Sequence, residues 1–159
     1  MSEDFRESTP RIHPFLTYWL PWLLWMALIF FLSDRPKQES LQMSGWFLIF
    51  FEWLGYTYEE LEAMHVVFVI RKLAHFTIYL MLALWTVRLQ RYYLPGRKFP
   101  WWAILWCLFY AISDEVHQAF VPGRGPQPMD VGIDLLGALV GGWLWTLYEK
   151  RYISKYVTK

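Results

Sequence analysis

Apolar residues fall in four long runs separated by polar stretches. Phe15–Leu32, "FLTYWLPWLLWMALIFFL", has no charge in 18 residues. Leu73–Val87, "LAHFTIYLMLALWTV", carries only His75 as a potential positive charge. Trp101–Ile112, "WWAILWCLFYAI", is uncharged, and Val131–Tyr148, "VGIDLLGALVGGWLWTLY", holds one charge. A bilayer crossing takes about 20 helical residues. The runs predict four transmembrane helices, over about residues 15–33, 68–89, 101–121 and 131–149. The first has no polar face to show water, which argues against a soluble buried bundle. A shorter run, Trp46–Gly55 ("WFLIFFEWLG"), is too short to span and predicts an interfacial or re-entrant helix. "TYEE" (Thr57–Glu60) is a capping box, so a helix is expected to start there and run into the second span. The pattern is that of an all-α, polytopic membrane protein.

Composition agrees. Apolar residues make up 56% of the 159 and charged residues 18%, against about 45–50% and about 25% in soluble domains. Eleven Trp are hard to bury in a small soluble core, since each indole N–H needs a partner; at a membrane–water boundary they meet no such difficulty. The length suits one domain, with tails at 1–13 and 150–159. The first fourteen residues mix acids and bases and lack a basic leader with a small-residue cleavage site, so the first helix is expected to be retained. The one cysteine, Cys107, excludes a disulfide framework and a cysteine metal site. A net charge of +1 does not point to nucleic acid.

Charge also orients the chain. With four spans, ten Lys and Arg lie on the side of both termini and five on the other. The positive-inside rule then places both termini in the cytoplasm and Ser113–Asp130, "SDEVHQAFVPGRGPQPMD", at the outer face.

Helical phase collects the polar residues of the spans. Lys72, His75 and Tyr79 fall within about 60° of one another, with Arg71 about 40° beyond His75. Arg71 and Lys72 read either as a snorkelling anchor pair or as members of a site. Asp130, Asp134, Gly137 and Gly141 share another arc of about 60°. The glycines allow a partner helix to approach closely, so both carboxylates should face the bundle. Asp130 also reads as a helix N-cap; Asp134 does not. Asp114, Glu115, His117 and Gln118 span about 160° and cannot all face one neighbour, and His117 is the weakest of them. "VPGRGPQP" makes a stiff loop presenting Arg124, either for recognition of phosphate or carboxylate or as an ordinary surface turn.

"RKLAHFTIY" (Arg71–Tyr79) and "SDEVHQAFVPGRGPQPMDVGIDLLGALVG" (Ser113–Gly141) resemble the VanZ family of membrane proteins, as does "FLSDRPKQES" after the first helix. The similarity covers most of residues 15–148. It implies a single VanZ-like transmembrane domain in a bacterial plasma membrane. It implies importance for Lys72, His75, Tyr79, Asp114, Glu115, Gln118, Arg124, Asp130 and Asp134. The founding member is associated with resistance to the glycopeptide teicoplanin, which acts on cell-wall precursors outside the membrane. One departure is Ile78, where many relatives carry Glu.

The residues support several functions. One is an envelope protein binding or acting on an anionic lipid-linked or glycopeptide ligand. In it, Arg71, Lys72, Tyr79, Asp114, Gln118, Arg124 and Asp130 would bind, and His75, Glu115 and Asp134 would supply acid–base chemistry or help hold a divalent metal. Another is a non-catalytic polar network that fixes helix register. A transporter is the third; four helices without a repeat disfavour it.

Overall fold

The computed structural model of the chain describes residues 13–34, 49–95 and 98–153. Those residues form helices and connecting turns, with no strand among them. A π-helical turn, Phe15–Trp19, leads into α1, Leu20–Ser33. Pro21 has no N–H to donate at the helix start, and the widened turn lies directly before it. Helix α2 is the single turn-and-a-half Tyr58–Ala63, α3 is Val66–Tyr93, α4 is Trp101–Gln118 and α5 is Pro128–Tyr148. A second π turn, Glu149–Ile153, follows α5.

The capping box forms: Glu60 N donates to Thr57 Oγ1, and Thr57 N donates to Glu60 Oε2 at 2.8 Å. The Thr57 backbone and hydroxyl bonds hold the Glu60 carboxyl below its usual pKa. The expected unbroken run from this cap into the second span is corrected. His65 sits in the left-handed region at φ 58° and separates α2 from α3. A left-handed residue cannot continue a right-handed helix, so the chain changes direction there before entering the long apolar run. Of the expected interfacial helix, residues 49–53 are helical and end in a turn at Leu54 and Gly55. Trp46 and residues 35–40 of the "FLSDRPKQES" stretch lie outside the described residues.

Among the described residues three helices, not the expected four, are long and apolar enough to cross a membrane: Phe15–Ser33, Val66–Tyr93 and Pro128–Tyr152. Helix α4 falls short because its 18 residues end in Ser113, Asp114, Glu115, His117 and Gln118. Those residues are not spread at random around it. Asp114, Glu115 and Gln118 are buried with Ala103, Ile104, Cys107 and Ala111, while Trp101, Leu105, Phe109, Ile112, Val116 and Phe120 are exposed. The charges face in and the large apolar side chains face out, the reverse of a water-soluble helix. An average over the helix understates how apolar its outer face is.

The same inversion holds for the whole molecule. Asp130 and Asp134 are buried, and Leu24, Phe30, Phe31, Phe68, Leu73, Leu136 and Trp143 are exposed. With the three spans, it identifies a membrane protein of all-helical build.

Side-chain contacts set the packing directions. Trp19 of the π turn and Trp22 and Trp25 of α1 recur every third residue and donate to Tyr93 Oη, Thr86 Oγ1 and the Ile78 carbonyl of α3. Helix α1 therefore runs antiparallel to α3. These three indoles are partnered along a helix seam, whereas Trp53, Trp101, Trp102 and Trp143 are exposed. Helices α3 and α5 are parallel and share the most extensive contact. It is built on small residues. A Cβ on Gly141 would lie 2.6 Å from the Leu80 carbonyl, and one on Gly137 would collide with the Phe76 carbonyl. Helix α4 runs antiparallel to both, with Gln90 Oε1 accepting from Ala103 N at its start and Ser33 meeting Gln118 at its end. The residues around 13–20 and 149–153 thus lie at one end of the bundle.

Backbone cannot move aside for a new Cβ as a flexible side chain can. Gly137→Ala is expected to destabilise the detergent-solubilised protein by about 1–3 kcal/mol. Gly132→Ala, where no atom lies within 4 Å of the added Cβ, is expected to leave thermal unfolding unchanged or slightly improved.

Candidate functional site

The candidate site forms at the end of the bundle where α1 and α4 finish and α3 and α5 begin. On α3, Lys72 and His75 are three residues apart and Tyr79 lies one turn further in, so they share a face. On α5, Asp130 and Asp134 share the face that carries Gly137 and Gly141. The parallel α3–α5 contact then fixes which groups meet. Lys72 Nζ donates to Asp130 Oδ1, with Phe68 beneath the ammonium at 4.9 Å. His75 Nδ1 and Asp134 Oδ1 share a hydrogen bond of 3.2 Å, and His75 Nε2 lies 3.9 Å from Asp130 Oδ2. His75 is therefore flanked by two carboxylates from one helix. Asp134, Asp130 and Tyr79 are 0%, 1% and 1% exposed.

Asp130 does not cap its helix. Gln127 holds the N-cap position without a side-chain capping bond, and Asp130 stands in the first turn, where a carboxylate also opposes the positive helix end. The capping alternative gives way to the ion pair with Lys72.

Helix α4 contributes its last turn. Gln118 Nε2 donates to Asp114 Oδ2 at 3.2 Å and to Ser33 Oγ of α1 at 2.6 Å. Glu115 Oε2 accepts from the Gln127 backbone N–H at 2.6 Å, which ties α4 to the start of α5. His117 points elsewhere. It meets Asp34 at 3.3 Å and packs on Phe30 at the outer rim, apart from the other polar residues of α4.

The connecting loop turns through Gly123, at φ 75°. Arg124 does not project outward from it. Its guanidinium folds back, half-buried, and Nη1 donates to the Ser33 carbonyl at 3.1 Å. Burial lowers the Arg124 pKa, the neighbouring Arg71 lowers it further, and Asp114, Glu115 and Asp130 oppose both. The cations Arg71, Lys72 and Arg124 thus gather near the mouth, with Tyr79 and Asp134 deeper. Arg71 has no hydrogen bond or ion pair among the described residues.

Polar residues here are not all accounted for by one another. Four buried side-chain atoms have no hydrogen-bond partner among the described residues: Tyr79 Oη, Glu115 Oε1, Arg124 Nε and Asp134 Oδ2. All four belong to this cluster.

Residues 18–149 match the model of the family described as VanZ/LLP1. The chain belongs to the VanZ/LLP1 family. No curated protein and no solved structure matches it. The match runs from the π turn before α1 to the start of the π turn after α5. It therefore contains every residue of the cluster in this VanZ/LLP1 protein.

Two contributors were not anticipated from the sequence. Ser33 meets Gln118 and Arg124, and the Gln127 side chain accepts from Lys72 Nζ at 3.1 Å. Ser33 ends an apolar run, which is a usable signal. Gln127, between two prolines, carries none. Ile78 packs in the apolar core, and its carbonyl receives the Trp25 indole, so this position serves the α1–α3 seam. As for a divalent metal, no group of three or more His, Cys, Asp or Glu is placed to hold one among the described residues.

Removing one partner of a buried pair strands the other charge, at a cost of about 3–5 kcal/mol. Lys72→Met is expected to lower thermal stability by that order. Asp130→Asn in the same background is expected to recover most of the loss, as read by unfolding in detergent.

Proposed function

We propose that this VanZ/LLP1 protein binds an anionic, hydroxyl- or amide-bearing ligand at the outer face of a bacterial plasma membrane. The lead candidates are a lipid-linked cell-wall precursor or a glycopeptide. One observation carries this reading: the four unpartnered buried polar atoms converge in a single cluster. A buried polar network that serves only to join helices satisfies its own members, because each orphan costs about 1–3 kcal/mol. Arg124 Nε is a donor, Glu115 Oε1 and Asp134 Oδ2 are acceptors when ionised, and the Tyr79 hydroxyl can be either. Their natural complement is a group that accepts and donates, such as a phosphate or carboxylate beside a hydroxyl or amide. Arg71, Lys72 and Arg124 supply the positive charge for the anion.

With α4 crossing the bilayer beside the three longer helices, the orientation follows the charge count, with ten Lys and Arg on the side of both termini and five on the site's side. A cysteine placed at Arg124 is expected to react with a membrane-impermeant maleimide from outside the cell. Labelling only after permeabilisation would reverse the orientation and cut the link to cell-wall ligands.

A second reading rests on the His75–Asp134 hydrogen bond. A carboxylate that orients an imidazole is the arrangement of a general base. With Glu115 close by, the site would then be that of a small intramembrane hydrolase or transferase.

Tyr79→Phe separates a binding site from a structural network, because it deletes an orphaned hydroxyl and keeps the ring. Glycerol 3-phosphate is a suitable probe, as it presents a phosphate and hydroxyls. Its binding is expected to weaken about tenfold in Tyr79→Phe and more in Arg124→Ala, by calorimetry. The thermal stability of Tyr79→Phe is expected to be unchanged or raised. In a teicoplanin-susceptible bacterium, the parent chain is expected to raise the inhibitory concentration and both variants to lose that effect at equal expression. Unchanged binding with a lowered melting temperature would establish the structural network instead.

A further inference from the structure

The polar cluster holds more carboxylates than permanent cations. Asp114, Glu115, Asp130 and Asp134 are all buried, and Arg71, Lys72 and Arg124 stand against them; His75 brings the numbers level only when protonated. Lys72 is already paired with Asp130, and His75 lies between Asp130 and Asp134. Asp114 is met by Gln118, a neutral amide, and Glu115 by a backbone N–H. Among the described residues no ion pair joins Arg71 or Arg124 to a carboxylate, although Asp114, Glu115 and Asp130 all act on the Arg124 charge. A purely anionic ligand would therefore leave excess negative charge in a buried site, a costly state for ionised groups out of water. A ligand that brings a positive charge of its own offsets that excess.

The unpartnered atoms also lie at two levels. Arg124 Nε and Glu115 Oε1 belong to the mouth, and the charges that act most on Arg124 are those of Arg71, Asp114, Glu115 and Asp130. Tyr79 Oη and Asp134 Oδ2 are deeper. Asp130 and Asp134 are four residues apart on α5, which sets the levels about 6 Å apart. The other oxygen of Asp134 is taken by His75, so Oδ2 faces the cluster as a free acceptor.

We propose that the ligand carries a zwitterionic head, with an anionic group held by Arg71 and Arg124 at the mouth and an ammonium about one helical turn deeper, donating to Asp134 Oδ2 and Tyr79 Oη. This rests on the reading of the cluster as an anion-binding site and names the ligand's class. An ammonium has three N–H donors and no acceptor, which complements a carboxylate oxygen and a phenol oxygen that both accept. The bond to Asp134 is charge-assisted and lies out of water, where such bonds are strongest. A two-carbon link between phosphate and ammonium, as in phosphoethanolamine, bridges a step of this size.

The test is calorimetry on the purified full chain in a non-ionic detergent, with glycerol 3-phosphate, O-phosphoethanolamine and the N-acetyl derivative of the latter, which keeps the phosphate and cancels the positive charge. O-phosphoethanolamine is expected to bind at least about tenfold more tightly than the other two, the gain of one charge-assisted hydrogen bond. Asp134→Asn keeps a side-chain partner for His75 but loses the charge, and is expected to erase the preference for the amine. The N-acetyl derivative reads the same contact on the parent chain, whatever the stability of Asp134→Asn. Glu62→Gln removes an exposed carboxylate from α2, outside the cluster, and is expected to change no affinity. Dioleoyl phosphatidylethanolamine distinguishes the source of the head: displacement of O-phosphoethanolamine by the lipid supports a lipid headgroup, and no displacement supports a free zwitterion. Equal affinity for the three soluble probes, or an Asp134→Asn protein that keeps the preference, would overturn the zwitterionic head and leave the anion site standing. Failure of every probe to bind would remove the anion site and the zwitterionic head together.

Discussion

Helix α5 lies so close to α3 that backbone meets backbone, and the remaining geometry follows from that contact. Only glycine fits at 137 and 141, where the Phe76 and Leu80 carbonyls occupy the space a side chain would need. The contact sets the register of two parallel helices. Register then decides that Asp130 meets Lys72, that Asp134 meets His75, and that Glu149 meets Arg91 at the other end. In lipid, where no hydrophobic force drives helices together, close packing and interhelical polar bonds do this work.

The two ends of the α3–α5 pair differ in a way that packing alone does not explain. At the far end, Arg91 binds both oxygens of Glu149 at 2.8 and 3.0 Å and also reaches the Lys98 carbonyl. Trp145 adds its indole N–H to the same carboxylate. That cluster is complete and reads as a clamp. At the site end, Tyr79, Glu115, Arg124 and Asp134 each keep a buried polar atom without a partner. A protein that already closes one polar cluster within its helices has no structural need to leave the other open. The contrast between a satisfied clamp and an unsatisfied cluster is what supports the proposal that the second is a binding site.

Much of this was legible in the sequence, because helical phase is a reliable guide in long apolar helices. The shared faces of Lys72, His75 and Tyr79, and of Asp130, Asp134 and the two glycines, need only the 100° step. What phase cannot give is which face meets which. The His75–Asp134 pair depends on α3 and α5 being parallel neighbours, and that depends on where α4 lies between them in the chain. The helix break at His65 was hidden because no Gly or Pro marks it. Arg124 looked like a presented side chain because a Gly- and Pro-rich loop says nothing about where its arginine turns. Helix α4 was counted with the spans because its apolar run is uncharged, yet its inward polar turn leaves it below the hydropathy of the other three.

The central claim is that the open polar cluster holds an anionic ligand in the membrane. Native mass spectrometry of the protein released from its own membrane tests it most directly. The account predicts a retained phosphate- or carboxylate-bearing species on the parent chain, largely lost from Tyr79→Phe and Arg124→Ala proteins that unfold no earlier than the parent. A parent chain free of any such species, or one that Tyr79→Phe and Arg124→Ala retain equally, would contradict it.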